Sequence, residues 1–253
     1  MKSPHGLYTF HRFAQRTEWL TWTKTGLMAE DAPTILGENP WKTPAQLLLE
    51  KSQGEESPKT EAMQTALLHR PQILEAYQKT SGEELQKANI QSKERPWQRA
   101  GLDGISKNRW HIVEIKAGEY AYKKALELQR VPGFYYAEGQ HILAITGLPY
   151  MTFHFHTGKK EDKPLSLQLR RNPKYIEHLL EKETAFFQLL KTQKLNPSKT
   201  LLQQVQNAIR KVGPKVDFST YQRVVPSFLT PLGELTADGQ AILKGTREET
   251  TNA

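Results

Sequence analysis

The run at positions 110–116, WHIVEIK, constrains this chain more than any other stretch. Ile112, Val113 and Ile115 favour an extended strand, and a run this apolar reads as one covered on both faces. Side chains alternate along a strand, so Glu114 and Lys116 leave the same face. Taking a carboxylate and an ammonium out of water is expensive unless each finds a partner. Two arrangements reconcile these charges with the run: an ordinary ion pair on a solvated sheet face, or a site where a divalent metal and a substrate phosphate compensate them. Residues 97–102 form a second strand-like run, and 103–109, DGISKNR, is a polar turn segment, which predicts a hairpin. Asp103, at the end of the partner strand, then completes a carboxylate pair with Glu114.

Around the hairpin the pattern alternates helix and strand. Apolar residues recur at helical spacing over 16–49 in two helices flanking a loop, with Thr43 as N-cap and Pro44 in the first turn. Residues 52–58, SQGEESP, read as a surface loop before a helix over 60–79. On that helix Met63, Ala66, Leu67, Leu74 and Tyr77 mark an inward stripe, with His69 and Arg70 on or beside it, and Pro71 predicts a kink. Further on, 134–146 reads as a helix, 150–156 and 165–170 as strands, and 173–191 as an amphipathic helix. The fold class that follows is α/β, a mixed central sheet flanked by helices. Residues 1–191 form the main domain, and 192–253 a C-terminal extension suited to a partner, with a basic helical segment at 201–211 and a loose tail.

Composition narrows the class of function. The 253 residues are 37% hydrophobic and 25% charged, with no apolar run long enough to span a membrane. No secretory signal opens the chain and cysteine is absent, so a cytoplasmic setting is expected, in a bacterial or phage-infected cell. A net charge of +8 favours a polyanionic partner through phosphate contacts.

An acid at a strand end, a short turn, then acid-x-lysine is similar to the PD-(D/E)xK nuclease pattern. That pattern implies Asp103 and Glu114 as ligands of magnesium, or of manganese as its substitute, with the Ile115 carbonyl oxygen as a further ligand and Lys116 positioning a water. The segment 35–44, ILGENPWKTP, followed by Gln46-Leu47 and Glu50-Lys51, resembles the YqaJ-type viral recombinases related to lambda exonuclease. Pro71, Tyr77 and Gly82, the turn 100–104 (AGLDG), the stretch 135–140 (YYAEGQ) and Thr146-Gly147 extend the likeness in unbroken order over about residues 12–190. The resemblance implies a restriction-endonuclease-like core and a 5′-to-3′ exonuclease on double-stranded DNA ends. It also implies work beside a single-strand annealing protein and, in some members, a ring-shaped homotrimer.

Three positions depart from that family. Arg70 stands where the family carries a metal-binding glutamate, and neighbouring His69 is a candidate replacement ligand through a ring nitrogen, the alternative being a surface histidine. Glu138 stands for the first glutamine of the later helix while Gln140 keeps the second, which suggests Arg70 and Glu138 as a compensating pair. In place of the family's 5′-phosphate pocket the chain has Lys24, a point charge for phosphate, and Glu30, which repels it. Arg70 and Gln140 are the other candidates for DNA or phosphate contact. His154 and His156 alternate on a strand, a pattern more often found in paired histidines than in a metal site, and the five tryptophans read as core or rim packing. These departures keep two alternatives open: a catalytically silent DNA-binding recombination module, and a RecB-like repair or defence nuclease using His69.

Overall fold

A computed structural model of the protein describes residues 6–53, 60–159 and 161–195, and three short strands beyond them. In chain order the elements are β1 (Tyr8–His11), α1 (Arg16–Lys24), β2 (Leu27–Met28), α2 (Ala32–Ile35), α3 (Pro44–Gln53), α4 (Glu61–Ser81), β3 (Leu85–Ser92), β4 (Gln98–Ser106), β5 (Ile112–Ala117), α5 (Glu119–Leu128), α6 (Gly133–Thr146), β6 (Tyr150–His156), β7 (Leu165–Arg170), α7 (Pro173–Leu195), β8 (Val224–Pro226), β9 (Glu234–Leu235) and β10 (Ala241–Ile242). The main sheet has the order β1-β3-β4-β5-β6-β7-β8, with β2 paired to β4. It is mixed: β5 and β6 run parallel, as do β2 and β4, and the other neighbours are antiparallel.

The period of two along β5 divides the helices between the faces of the sheet. Val113 and Ile115 pack against Ile73, Leu74 and Tyr77 of α4. Ile112, on the opposite side, joins the main core with Tyr136 and Ala137 of α6, Phe153 and Phe155 of β6, and Tyr175 and Leu179 of α7. Gly139 permits this approach of α6: a Cβ there would lie 2.2 Å from Leu169 Cδ2 and 2.8 Å from Phe153 Cε2. A buried polar bolt ties the same layer together. Glu183 of α7 accepts from His141 Nδ1 at 2.5 Å and from Gln98 Nε2 at 2.9 Å, and the other His141 nitrogen meets the Arg99 carbonyl at 3.0 Å.

The segment 35–51 is knit by side chains. Thr43 and Gln46 form a capping box at the start of α3, Gln46 Oε1 accepting from Thr43 N at 2.8 Å while Thr43 Oγ1 accepts from Gln46 N at 3.3 Å. Lys51, buried on α3, donates to the carbonyls of Thr23 and Gly26 and pairs with Asp31 at 2.7 Å.

Several expectations need correcting. Strands β1 and β3 and helix α5 were not predicted, because LQKANIQS in β3 offers weak alternation among polar residues and the short β1 forms only by pairing with β3. The turn predicted over 103–109 begins later: β4 runs on to Ser106, so Asp103 lies within the strand, and the reversal is made around Arg109 at φ 62. On α4 the inward stripe holds only from Ile73 onward, where β5 covers it, while Met63 and Leu67 are exposed. Helix α4 continues through Pro71, which has no N–H to offer the Leu67 carbonyl, and both residues are exposed. The predicted helix at 201–211 and the terminal tail lie outside the described residues. No helix among the described residues is long and apolar enough to cross a membrane.

Candidate active site

Strands β4 and β5 pair through Gly104↔Val113 and Ile105↔Ile112 and no further toward Asp103 and Glu114. Beyond that point carboxylates bridge the gap. Asp103 Oδ2 accepts from the Ile115 N–H at 2.9 Å, and Glu114 Oε1 accepts from the Asp103 N–H at 3.2 Å. Each acid thus spends one oxygen on the opposing backbone and keeps the other for the site.

Lys116 is 3% exposed, and its environment explains how an ammonium survives there. Its Nζ donates to Glu138 Oε1 of α6 at 2.7 Å, lies 3.9 Å from Glu114 Oε2, and sits over the rings of Tyr135 and Phe153 at 4.8 and 5.3 Å. Burial works against the charge, but Glu138 and then Glu114 more than offset it, so the Lys116 pKa is raised. Its neighbours thus favour the protonated ammonium. Glu114 is driven the other way: burial first, then repulsion from Asp103, pushes its carboxyl well above the usual carboxylate range, against the pull of Lys116.

Arg70 reaches the cluster from α4. Its Nη1 lies 3.8 Å from Asp103 Oδ1, and the side chain is 33% exposed. Burial opposes its charge, and Asp103, then Glu114 and Glu138, hold it raised. Its Nε is shielded from solvent with no acceptor among the described residues. The expected Arg70–Glu138 pair is therefore indirect: the two feel each other's charge, but Arg70 engages Asp103 and Glu138 engages Lys116. Glu30, in the 3-10 turn Ala29–Asp31, is exposed, and its carboxyl is raised first by surrounding protein and then by Asp31 and Glu138. Its exposure tempers that shift, since water screens a surface charge.

Sequence reasoning brought Asp103, Glu114, Ile115, Lys116 and Arg70 to one place, and the structure joins them. It does not join His69, whose ring lies against Gly158 in the loop after β6: a Cβ on Gly158 would sit 3.0 Å from His69 Cδ2. Gln140 is fully buried, donating to the Arg170 carbonyl at 2.8 Å and accepting from Asn172 N at 2.9 Å, so it ties α6 to the junction of β7 and α7 instead of meeting DNA. Lys24 is half-buried in the last turn of α1. His154 donates or accepts at Ser166 Oγ, 2.7 Å away, and abuts Tyr77 edge-on, a core histidine. Of the tryptophans, Trp22 is core, whereas Trp41 is 62% exposed and packs edge-on against Tyr120 and Phe134, next to Tyr135 over Lys116.

As a test of metal fit, the free oxygens of Asp103 and Glu114 are hard donors suited to a divalent cation. No group of three or more His, Cys, Asp or Glu among the described residues is arranged to hold an ion, and beside Asp103 position 70 supplies a guanidinium. The donor pair fits a metal; a third protein carboxylate does not stand ready.

Residues 18–149 match the model of the YqaJ-like viral recombinase domain. The chain is similar to the uncharacterized protein YqaJ of Bacillus subtilis (strain 168), 27% identical over 177 residues, covering 68% of this chain and 55% of that protein. It therefore spans about half the length of the curated relative. Among solved structures it is similar to an alkaline exonuclease (LHK-Exo) from Laribacter hongkongensis, also solved in complex with dAMP, with a TM-score of 0.61 at 16% identity over 78% of this chain and 100% of that one. It is also similar to a phage related exonuclease from Haemophilus somnus 129PT, with a TM-score of 0.53 at 13% identity over 68% of this chain and 96% of that one. The mixed sheet with flanking helices is thus the fold of these exonucleases, the restriction-endonuclease-like α/β core.

Proposed function

Because the chain belongs to the YqaJ-like viral recombinase family, we propose that it is a metal-dependent deoxyribonuclease that degrades duplex DNA from its ends. The observation that carries this reading is the buried Lys116 held beside Asp103 and Glu114 where β4 and β5 part. Its structural relatives are described as exonucleases, which points the same way.

Asp103 and Glu114, with the Ile115 carbonyl, would hold a magnesium ion, for which manganese substitutes; the ion would supply electrophilic assistance to phosphodiester hydrolysis. Lys116, kept protonated by Glu138, orients the attacking water and offsets charge on the phosphate as it develops. Tyr135 and Phe153 shield that ammonium from bulk water, which strengthens its field at the phosphate. Arg70 supplies a second fixed cation on the Asp103 side and Lys24 a phosphate contact farther out. His69, on the edge of the same helix, is kept as a ligand only in the RecB-like variant of this reading.

Within the family setting, the direction is 5′ to 3′, the partner a single-strand annealing protein, and the assembly a homotrimer, acting in the cytoplasm of a bacterial or phage-infected cell. Residues 1–191 form the nuclease unit, and 192–253, which lends β8 to the edge of its sheet, the extension that meets the partner.

Linear duplex DNA labelled at either end, incubated with magnesium or with chelator, tests the reading against a Lys116→Ala variant. Magnesium-dependent cleavage by the wild type, reduced at least a hundredfold in the variant, is expected, in line with the loss of one charge-stabilising group; the order of label loss gives the direction. A specific observation favours a second reading: Arg70 on Asp103 and Glu138 on Lys116 satisfy much of the site internally, as a silent DNA-binding module would. Duplex binding without cleavage by the wild type would establish that alternative.

A further inference from the structure

Resting on the nuclease reading above, we propose that Arg70 is a built-in cation of the site, so that the chain takes one divalent ion where a pair of ions would otherwise serve. Two-metal phosphodiester hydrolysis places a cation on each side of the scissile phosphate. Here the two sides are not equivalent. On one side Asp103 Oδ1 faces the Arg70 guanidinium at 3.8 Å, while its other oxygen is taken by the Ile115 N–H. A metal bound to Asp103 from that side would have to displace a guanidinium that two-thirds burial and the neighbouring acids hold in place. On the other side Glu114 Oε2 also faces a cation, the Lys116 ammonium 3.9 Å away, but that ammonium is held by Glu138 at 2.7 Å, which leaves Glu114 the freer acid for an ion.

Charge balance leads to the same number. In the form that binds a metal, with Glu114 ionised as a ligand must be, the groups in contact are three carboxylates, Asp103, Glu114 and Glu138, and two cations, Arg70 and Lys116, one net negative charge. One divalent ion and one phosphodiester bring that set to neutrality, whereas a second ion would leave two uncompensated positive charges beside the buried lysine. Exchanging arginine for glutamate at position 70 removes two positive charges, the charge of one divalent ion. Arginine does this without coordination and without titrating, since it stays protonated throughout the accessible pH range.

A third observation concerns what the guanidinium lacks. Arg70 Nε is shielded from solvent and meets no acceptor among the described residues, although its Nη1 is engaged. A buried donor without a partner is costly, and a turn of the partly exposed guanidinium toward a phosphate oxygen beside Asp103 would satisfy it with a charge-assisted hydrogen bond. Arg70 therefore positions substrate as well as neutralising acid, a task a water-shelled metal performs less directionally.

The test counts Mn2+ bound per full-length chain by the electron paramagnetic resonance signal of free ion, with a cleavage-resistant phosphorothioate duplex present. One ion on the wild type, one on Arg70→Lys and two on Arg70→Glu is the expected set. If Arg70→Glu does not fold, Arg70→Gln should bind Mn2+ at least tenfold more tightly than the wild type. Two ions on the wild type, an unchanged count in folded Arg70→Glu, or no tightening in Arg70→Gln overturns the role of Arg70 and leaves the nuclease reading standing. No ion on the wild type overturns the proposal as well, and if that protein also leaves magnesium-supplemented DNA intact, the nuclease reading goes with it.

Discussion

Glu38 accepts the Tyr175 hydroxyl at 2.9 Å, and burial pushes its carboxyl up to about 8 from an ordinary 4.5. The folded chain therefore binds this proton more tightly than the unfolded chain does. The stabilisation is fully present below pH 4.5 and is lost as pH rises through about 8. Glu38→Gln, which accepts the same hydrogen bond without titrating, should flatten the urea-unfolding stability between these limits and exceed the wild type above pH 8. A variant whose stability still falls across that window would show that Glu38 is not the titrating group. Lys116 shows the opposite balance, where neighbouring carboxylates outweigh burial and keep the charge. The difference is one of partners: Glu38 has a hydroxyl, Lys116 has two acids.

At the scale of elements, the site depends on how closely α6 approaches the sheet. Glu138 and Tyr135, which hold Lys116, stand on this helix, and Gly139 is the point where it meets Leu169 and Phe153. Gly139→Ala would gain about 1 kcal/mol in helix propensity on an open helix. Here the added methyl meets side chains 2.2 and 2.8 Å away, so a net loss of about 1–3 kcal/mol is expected, read as a lowered thermal midpoint. The same displacement should loosen the Glu138–Lys116 bond and lower cleavage in the folded fraction. A midpoint equal to or above that of the wild type would refute the packing account. The hairpin follows a related logic, since β4 and β5 part where Asp103 and Glu114 replace ladder partners with their own carboxylates.

For the molecule as a whole, the net charge of +8 predicts that duplex binding is driven by counterion release. The affinity of the Lys116→Ala variant for duplex DNA should fall linearly on a log–log plot against salt, with a slope that counts the phosphates neutralised. An affinity insensitive to salt would remove phosphate contact as the basis of binding.

Much of this architecture was legible in the chain. WHIVEIK announced β5 because hydrophobic run and period of two coincide there, and the same period put Glu114 and Lys116 on one face. Thr43 and Pro44 announced the start of α3 because an N-cap and a first-turn proline act locally, and the structure adds Gln46 to Thr43 as a capping box. Strands β1 and β3 stayed hidden because an extended polar segment gains its hydrogen bonds only from neighbours distant in sequence. Exposure of Met63 and Leu67 was equally unreadable, since a helical stripe states which face is apolar and not how much of it a sheet will cover. The sequence by itself determined the local elements around the hairpin and the identity of the charged residues at positions 70, 103, 114, 116 and 138. Only the tertiary structure decided how they pair, because Lys116 comes between Glu138 and Glu114 and draws to itself the acid that Arg70 would otherwise meet. Side-chain pairing in a buried cluster depends on distances set by four separate elements, α4, β4, β5 and α6, and no spacing along one chain segment encodes those distances.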